Sequence, residues 1–370
     1  MPFPPKDGES IVISEDAKIL KKAGHKIHFL CLNTRKHFVN DDRNDQYQEY
    51  FDTIQSVSID TAIHFDHIFS HFYGELPIQL ARFESNEFRL RMQELISSYQ
   101  INTIIAQGLA VTHYLKDVSE DIRKIYRVHN IEHFIWRDYG QFSLIKRWVG
   151  RILSRSLYRY ETSQLRQVDQ FVTLSHTEEM IMKELGYSQV FAIPITLSDS
   201  KKQDYSELSK GILFVGSLDW APNCEGLEWF IQEVYPRVSD IRLTVAGRGS
   251  WTSSNPSINV VTNFESLEHL FSRHRLVIVP LLSGAGIRIK ILECLQAGMP
   301  LITTSKGAEG ILMDSTIYPI CDEPQNFADT LMALYHDSYR LNYISNMAKT
   351  YFTNQYSKDH ISSLWKAFLE

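Results

Sequence analysis

Short apolar runs alternate with longer amphipathic stretches along the whole chain. The apolar runs of the first half cover residues 26–32, 102–108, 125–130 and 170–175. Those of the second half cover residues 211–217, 241–247, 258–261, 276–281 and 300–305. Helical periodicity predicts helices over residues 10–23, 83–99 and 141–167, and further helices that begin near Asn223, Ser266, Gly286 and Pro324. This alternation is typical of βαβ units built around parallel sheets.

A polar stretch without periodicity divides the two series. Residues 198–210, SDSKKQDYSELSK, lie between the last apolar run of the first half and the first run of the second half. We interpret this stretch as an interdomain linker. The sequence therefore predicts an α/β protein with two Rossmann-like parallel-sheet domains in tandem, facing across a cleft.

Composition and charge narrow the class of protein. A chain of 370 residues with 44% hydrophobic and 22% charged residues suffices for two α/β domains. The net charge of −6 argues against broad nucleic-acid binding. The four cysteines are scattered and form no CxxC pattern, which favours a reducing cytoplasm over a disulfide scaffold or a zinc site. No apolar run has the length of a membrane span, and the first residues do not resemble a signal peptide.

The segment from Pro280 to Pro300, PLLSGAGIRIKILECLQAGMP, carries the strongest chemical signal. It reads as the end of a buried strand, a loop with Gly284 and Gly286, and a helix bearing Arg288, Lys290 and Glu293. Glycines let the backbone approach a ligand, and the start of a helix attracts anions. Two full positive charges at that point suit a diphosphate, and a carboxylate one and a half turns later suits a ribose diol. An ordinary strand–turn–helix with a solvated charged face is the alternative interpretation.

A second strand-to-helix loop has a related pattern. Residues 211–230, GILFVGSLDWAPNCEGLEWF, end a strand at Gly216 and Ser217 and open a helix near Asn223, a plausible N-cap. The backbone of Gly216 and Ser217 would meet a ligand at the carboxyl edge of the sheet. Residues 217–223 contain no basic side chain. Arg288 and Lys290 are therefore the basic side chains of the two segments, and a plain βα turn is the alternative interpretation of this loop.

The stretch ECLQAGMP at residues 293–300, preceded by the Gly-rich loop, resembles the donor-site signature of glycosyltransferase family 4. The resemblance implies the GT-B fold and a retaining transfer from a nucleotide sugar without a metal or other cofactor. It also implies a donor loop made of Gly284, Ala285, Gly286 and Ile287. Family members carry a glutamate eight residues before the one that matches Glu293. Ala285 stands there in this chain, so contacts to the donor-sugar hydroxyls are less well specified.

The same resemblance assigns domain boundaries and several further residues. It implies an acceptor-side domain over residues 1–197 plus 350–370, the linker 198–210, and a donor-binding domain over residues 211–349. The backbone around Asn263 and Phe264 would face the nucleobase. Glu309, in a turn after a donor-domain strand, would face the cleft, although an ordinary loop carboxylate is equally consistent with the pattern.

Two features of the first half also follow the family pattern. His129, at the end of a strand, would reach the donor sugar as a catalytic residue beside Arg288 and Lys290, and it is favoured over His133 on the next helix. Gly8 would lie under the donor phosphates. Family members open with a strand before this glycine, whereas this chain begins at the turn PFPPKDG. We expect a central parallel strand to be missing, with a start codon assigned too far downstream as the preferred explanation.

Residues 146–161, KRWVGRILSRSLYRYE, form a basic amphipathic helix. Such a helix binds an anionic lipid surface or a lipid-linked acceptor, or it packs its apolar stripe on the first domain. We give the packing interpretation more weight. A cytoplasmic protein with peripheral contact at the inner face of the membrane accommodates both interpretations.

We therefore expect a retaining, metal-independent glycosyltransferase that moves a sugar from a nucleotide-diphosphate sugar to a saccharide or lipid-linked acceptor in cell-surface polysaccharide biosynthesis. Two alternatives remain. One is a degenerate glycosyltransferase-like binding subunit, suggested by Ala285 and the missing strand. The other is a sugar-nucleotide epimerase of the same architecture.

Overall fold

The computed structural model describes residues 8–34, 47, 50–62, 76–137, 144–198, 210–262, 264, 266–284, 286–311 and 317–370. The chain divides into two compact units, and the helix-covered sheets in both are built of parallel strands. Unit 1 comprises Met1–Thr196 together with Ile361–Glu370, and unit 2 comprises Leu197–His360. The predicted α/β fold with two parallel-sheet domains is confirmed. No helix of the described ranges is both long and apolar enough to cross a bilayer.

Unit 1 contains two separate parallel sheets within its described ranges. The smaller sheet pairs β1 (His28–Thr34) with β2 (Thr53–Ile59). The larger sheet has the order β3 (Thr103–Gln107), β4 (Arg123–Val128), β5 (Gln170–Thr173) and β6 (Val190–Ala192). Its helices are α1 (Gly8–Lys22), α2 (Ile78–Ala81), α3 (Asn86–Tyr99), α4 (Glu132–Arg137), α5 (Leu144–Ser163) and α6 (His176–Glu184). Short 3₁₀ turns cover Leu109–Asp117 and Leu165–Gln167.

Unit 2 is built on one five-stranded sheet. In chain order its strands are β7 (Ile212–Val215), β8 (Leu243–Ala246), β9 (Ile258–Val261), β10 (Leu276–Val279) and β11 (Leu301–Thr303). Its helices are α7 (Ala221–Trp229), α8 (Leu267–Phe271), α9 (Ile289–Ala297), α10 (Ser305–Ala308), α11 (Pro324–His336) and α12 (Ser338–Tyr356). A π turn (Phe230–Val234) and a 3₁₀ turn (Tyr235–Arg237) follow α7. Strands β8 and β10 are buried throughout, as expected for a sheet covered on both faces.

The carboxyl-terminal helix α13 (Lys358–Leu369) returns to unit 1 and closes its core. The Trp365 indole Nε1 donates to Oδ1 of Asp16 on α1 at 3.3 Å. Arg127 on β4 donates to both oxygens of the same carboxylate at 2.9 and 3.2 Å. A buried carboxylate shared in this way joins α1, β4 and α13.

The return to unit 1 begins later than the predicted boundary at residue 350. Helix α12 runs unbroken to Tyr356, and its buried residues include Leu341, Ile344 and Ala348. Because this face packs against α9, residues 350–360 stay with unit 2, and the crossing falls at Ile361. The continuity of one amphipathic helix therefore corrects the boundary.

Several element boundaries also differ from the predictions. Strand β2 was missed because TIQSVSI alternates with polar residues, and β6 was missed because it has three residues. The helix expected near Gly286 begins at Ile289, since Gly286 has a φ of 83°, outside the helical region. Asn223 is not the N-cap of α7; that position belongs to Trp220, and Asn223 lies in the first turn.

Candidate functional site

The two predicted donor loops meet at the point where the strand order of unit 2 reverses. The sheet has the order β11-β10-β7-β8-β9, with β7 in the centre. Crossovers to the two sides of a central strand leave a crevice at the carboxyl ends, where open α/β sheets bind ligands. Gly216 and Ser217 follow β7, and residues 280–288 follow β10. Both loops therefore lie at the same edge of one sheet.

The loop after β10 packs closely on an aromatic ring. Gly284 has a φ of 98°, and a Cβ placed on it would lie 3.1 Å from the Trp220 ring and 3.4 Å from Nη2 of Arg288. The Arg288 guanidinium in turn lies 5.8 Å from the centroid of the Trp220 ring. A left-handed backbone and a close approach both require glycine at this position. The sequence requirement for Gly284 is thereby explained.

Arg288 precedes helix α9 instead of lying within it. It is the N-cap residue, its side chain makes no capping bond, and it is buried. The amides of the first turn of a helix have no acceptor within the helix and carry its positive dipole end. Arg288 therefore lies at the anion-attracting end of α9, with its guanidinium near Gly284 and Trp220, and the prediction that Arg288 belongs to the helix was wrong by one residue.

Lys290 is fixed by a side chain from the other loop. Its Nζ donates to Oδ1 of Asn223 at 2.6 Å, and Nδ2 of Asn223 donates to the Ser217 carbonyl at 2.9 Å. A Cβ on Gly216 would lie 2.6 Å from Asn223 Nδ2 and 3.0 Å from Lys290 Nζ. Gly216 therefore leaves the room that the Lys290–Asn223 pair occupies, and the pair ties α9 to the loop after β7.

The charges of this crevice depend on their surroundings. Burial, reinforced by the neighbouring charge of Arg288, lowers the pKa of Lys290 to about 7. Burial raises the pKa of Glu293 to about 7, against the opposing pull of Lys290. We expected two full positive charges, but in the structure the charge of Lys290 depends on pH near its lowered pKa of about 7. An arriving anion would favour the protonated lysine.

Further polar contacts hold the loop after β10, and sequence reasoning missed them. The Ser283 hydroxyl donates to Oε2 of Glu225 on α7 at 2.7 Å. The Thr304 hydroxyl donates to the Leu281 carbonyl and accepts from the Gly307 amide at 3.0 Å. Ser283 precedes a glycine and Thr304 follows a strand, and both patterns signal only a turn, so these partners were not recognisable in advance.

The other residues predicted to contact the donor follow β9, β10 or β11 in the chain. Phe264 follows β9 and is partly exposed. Glu309 pairs with Lys306 at 2.7 Å, an i,i+3 contact on its own turn. Ile287 and Gly286 are half-buried in the loop that leads to Arg288. Asn263 and Ala285 lie outside the described residues.

His129 lies at the carboxyl edge of the larger sheet of unit 1, directly after β4. Its Nε2 faces Oε1 of Gln107, which ends β3, at 2.7 Å. Its Nδ1 lies 3.9 Å from Oε1 of Glu9, in the first turn of α1. Gly108 has a φ of 83°, and a Cβ there would lie 3.2 Å from the same Glu9 oxygen. The start of α1 at Gly8 and His129, both predicted, therefore come to one edge.

His133 belongs to a different, buried network. Its Nδ1 lies 2.6 Å from Oε2 of Glu161, and the Glu161 carboxylate also accepts from the backbone amides of Glu132 and His133. Burial, with the charges of Glu161 and Glu9, raises the pKa of the Glu132 carboxyl to about 7. Sequence reasoning missed Glu9, Gln107 and Glu132, although each is adjacent to a strand end or a helix start.

Residues 209–337, which span most of unit 2, match the family described as Glycosyl transferases group 1. A protein of Klebsiella pneumoniae described as an uncharacterized 44.6 kDa protein in the cps region is 24% identical over 335 residues, covering 84% of this chain and 82% of the relative.

Solved structures share the architecture at low identity. Sucrose-phosphate synthase from Thermosynechococcus elongatus has a TM-score of 0.67 at 10% identity, with 98% of this chain and 93% of that chain covered. TarM of S. aureus, crystallised with fondaparinux, alpha-GlcNAc-glycerol and UDP, has a TM-score of 0.60 at 11% identity, and 78% of this chain matches 58% of TarM. The family domain of unit 2 and the fold together define a glycosyltransferase of the GT-B class.

Proposed function

We propose that this protein transfers a sugar from a nucleoside diphosphate sugar to a saccharide or lipid-linked acceptor, with retention at the anomeric carbon. The observation that carries the proposal is the joint placement of Arg288 and the Lys290–Asn223 pair at the switch point of unit 2. Cations beside a helix start and a Gly-rich loop form a site for a diphosphate. TarM, which shares the fold, is crystallised with UDP.

The leaving diphosphate is the group that this crevice is built to stabilise. Arg288 offers a bidentate fork, Lys290 a point charge, and the first amides of α9 further donors. The backbone of Gly216, Ser217 and the loop from Gly284 to Ile287 would pass close to the phosphates. With this charge in place we propose that the reaction needs no divalent metal.

Glu293 is the proposed ligand of the ribose diol. It lies one turn beyond Lys290 on α9, half-buried, and a carboxylate there accepts two hydroxyl donors. Asn263 and Phe264 keep a proposed role at the nucleobase and Glu309 at the donor. Because Ala285 stands where the family has a glutamate, we propose that other residues determine which sugar is bound.

The proposed chemistry is a front-face displacement. The bond between the anomeric carbon and the diphosphate oxygen breaks first, and an acceptor hydroxyl attacks from the side of the leaving group. A diphosphate oxygen takes the proton of that hydroxyl as the new glycosidic bond forms. His129, held by Gln107 and neighboured by Glu9, is the proposed catalytic residue of unit 1, and Gly8 opens the helix beside it.

The proposed biological setting is cell-surface polysaccharide assembly. The related protein of the Klebsiella pneumoniae cps region supports this setting. A degenerate binding subunit and a sugar-nucleotide epimerase are the competing functions. Release of a nucleoside diphosphate that depends on an added acceptor distinguishes transfer from both.

The test is a screen of nucleotide sugars with bacterial saccharide and lipid-linked acceptors, scored by release of the nucleoside diphosphate. We expect turnover for one donor in the presence of EDTA, and His129→Ala to lower turnover while nucleotide binding persists. No release with any donor and acceptor, alongside intact nucleotide binding, would favour the degenerate subunit. Loss of all turnover in EDTA, restored by Mg²⁺, would contradict metal independence.

We further propose that helix α5 holds the protein at an anionic lipid surface. The apolar residues Ile145, Trp148 and Ile152 lie one turn apart and are exposed, with Ile145 at 78% and Trp148 at 65%. The basic residues Lys146, Arg147, Arg151, Arg155 and Arg159 are exposed on the same helix. The opposite face, with Ser154 and Leu157, is buried in unit 1. Helix α5 therefore packs one face on unit 1, as expected, and its second apolar stripe, Ile145, Trp148 and Ile152, is exposed to solvent.

Liposome flotation tests this contact. We expect binding to vesicles with anionic lipid and none to neutral vesicles, because the helix supplies both apolar area and positive charge. Trp148→Ser with Ile152→Ser is expected to abolish flotation, whereas Leu90→Ser, at an exposed apolar site on α3, serves as the matched control. Equal flotation of the two variants would contradict the proposal.

A further inference from the structure

Trp220 is a large aromatic side chain that is left open at the carboxyl edge of the unit 2 sheet. It stands in the loop after β7, as the N-cap residue of α7, and 39% of its surface is exposed. By contrast, the rings of Phe214, within β7, and Phe230, directly after α7, are fully buried. An open aromatic ring in a crevice between two loops is typical of a ligand contact.

The position of the Trp220 ring is fixed from two sides. A Cβ placed on Gly284 would lie 3.1 Å from Cη2 and 3.3 Å from Cζ2 of the ring, so the glycine backbone packs against its six-membered part. The Trp220 carbonyl accepts from the amides of Asn223 and Cys224 at 3.0 and 3.3 Å, which ties its backbone to the first turn of α7. A ring held in this way loses little conformational freedom when a ligand covers it.

Arg288 connects the ring to the crevice of cations in unit 2. The centre of its guanidinium lies 5.8 Å from the centroid of the Trp220 ring, within the range of a cation–π contact. Lys290, the second cation, donates to Asn223, which lies three residues after Trp220 in the chain. The ring therefore borders the place proposed for the diphosphate, and a group attached to that diphosphate would lie within its reach.

The ring lies on the side of the sheet that is opposite to the proposed nucleobase site. Strand β7 is central, with β8 and β9 on one side and β10 and β11 on the other. Phe264, with a proposed role at the base, follows β9, whereas Trp220 packs on the loop after β10. With the base on the β9 side and the diphosphate at the centre, the sugar of a nucleotide sugar extends toward β10. Trp220 therefore lies on the sugar side of the crevice.

We propose that Trp220 is the platform on which the sugar of the donor stacks, with a C–H face of the pyranose against the indole. This inference rests on the proposed function and adds the residue that recognises the sugar itself. A pyranose carries its hydroxyls around the rim and C–H groups on its faces. An aromatic face therefore gains apolar contact with the sugar while the rim hydroxyls stay available to polar partners.

A purely indirect role of Trp220 has a different signature. If the ring only supported Arg288, its loss would weaken a nucleoside diphosphate and the matching nucleotide sugar by the same factor, because both carry the diphosphate. A platform for the sugar contributes only when the sugar is present. The ratio of the two affinities therefore separates the two roles.

The test titrates matched ligands by calorimetry without an acceptor. UDP is compared with UDP-glucose, UDP-galactose and UDP-N-acetylglucosamine, and GDP is compared with GDP-mannose. Trp220→Leu removes the aromatic face, Trp220→Tyr keeps one, and Tyr343→Leu, at an exposed aromatic position on α12, is the matched control. A thermal melt of each variant accompanies the titrations, and we expect nearly unchanged Tm values because both positions are partly exposed.

We expect Trp220→Leu to weaken the best nucleotide sugar about tenfold more than its nucleoside diphosphate, because a sugar that covers the ring removes apolar area from water. Trp220→Tyr should retain most of this difference, and Tyr343→Leu should retain both affinities. Equal losses for the two ligands in Trp220→Leu, or binding of UDP or GDP without binding of any nucleotide sugar, would overturn the platform alone. Absence of binding by every nucleotide would overturn the proposed function together with this inference.

Discussion

Lys290 Nζ donates to Oδ1 of Asn223 at 2.6 Å, although the two residues lie on different helices and 67 positions apart. Asn223 also donates to the Ser217 carbonyl, so its side-chain amide links Lys290 on α9 to the loop after β7. This pair sets the position of the lysine at the switch point before any ligand arrives. A cation already in position loses less conformational freedom when it binds a phosphate.

Replacing Asn223 is expected to weaken nucleotide binding without unfolding the protein. Asn223→Ala removes two hydrogen bonds, one with the Lys290 ammonium and one with the Ser217 carbonyl. The first of these bonds involves a charged group. We expect a loss of about 10- to 100-fold in nucleoside diphosphate affinity. Isothermal calorimetry measures the loss, and Asn346→Ala, at an exposed position on α12, is the matched control. Equal affinity of both variants would show that the pair does not position Lys290.

Nucleotide affinity is expected to fall as pH rises above about 7. The pKa of Lys290 is lowered to about 7 in the free protein, chiefly by burial, and a bound diphosphate raises it. Binding therefore takes up a proton between the free and bound pKa values, and affinity drops by up to about tenfold per pH unit in that window. Below pH 7 the lysine is already protonated and the dependence on its charge disappears.

Two variants isolate the lysine in this pH dependence. Lys290→Arg keeps its charge at all these pH values, so the part of the pH slope that comes from position 290 should vanish. Glu293, whose pKa is also raised to about 7, ionises in the same range, and Glu293→Gln removes its contribution. A wild-type slope that survives in Lys290→Arg would contradict the assignment to Lys290.

Two glycine-to-alanine substitutions in unit 2 should separate binding from stability. A Cβ on Gly216 meets side-chain atoms of Asn223 and Lys290, which can shift, so Gly216→Ala should lower affinity about tenfold or more at nearly unchanged Tm. A Cβ on Gly226 would lie 2.2 Å from the Pro280 carbonyl, which is backbone. Gly226→Ala should therefore lower Tm instead. A thermal melt and a nucleotide titration of each variant decide, and the reverse pattern would contradict the packing.

The buried ion pair of Arg127 and Asp16 is expected to stabilise unit 1 only while both charges are present. Arg127 is fully buried and also donates to the Thr173 and Ile193 carbonyls. Arg127→Leu removes the ion-pair partner of the buried Asp16 carboxylate, and removal of one partner of a buried ion pair costs about 3–5 kcal/mol of unfolding free energy. Urea unfolding, monitored by hydrogen exchange of amides in unit 1, measures this loss of unfolding free energy.

The control for that pair is the double substitution. Adding Asp16→Asn to Arg127→Leu removes the orphaned charge and should restore part of the stability. Arg166→Leu, at an exposed position, should change stability little. A double variant as unstable as the sum of the two single variants would show that the carboxylate is not the cause.

The sequence predicted the fold class and the two loops that follow β7 and β10, because both follow from local patterns. Apolar runs end at Gly216 and Pro280, and in a parallel sheet such ends share one edge. Strand β2 escaped this reasoning because its polar alternation follows from half-burial at the smaller sheet, a tertiary circumstance.

The chemistry of the site was less predictable than its location. Asn223 has the sequence position of an N-cap, and only the approach of α9 to α7 turns its side chain into the partner of Lys290. The lowered pKa of Lys290 arises from burial and from Arg288, which no spacing rule conveys. The strand-end position of His129 was predicted from the sequence, but its neighbours Gln107 and Glu9 come from two other elements.

Calorimetric titration of UDP, GDP and ADP tests the central claim that unit 2 binds a nucleoside diphosphate through Arg288 and Lys290. We predict that one of the three binds, and that Arg288→Ala combined with Lys290→Ala weakens binding by about 100-fold or more, because two charge-assisted contacts are lost. Absence of binding by all three nucleotides, or unchanged affinity in the double variant, would contradict it.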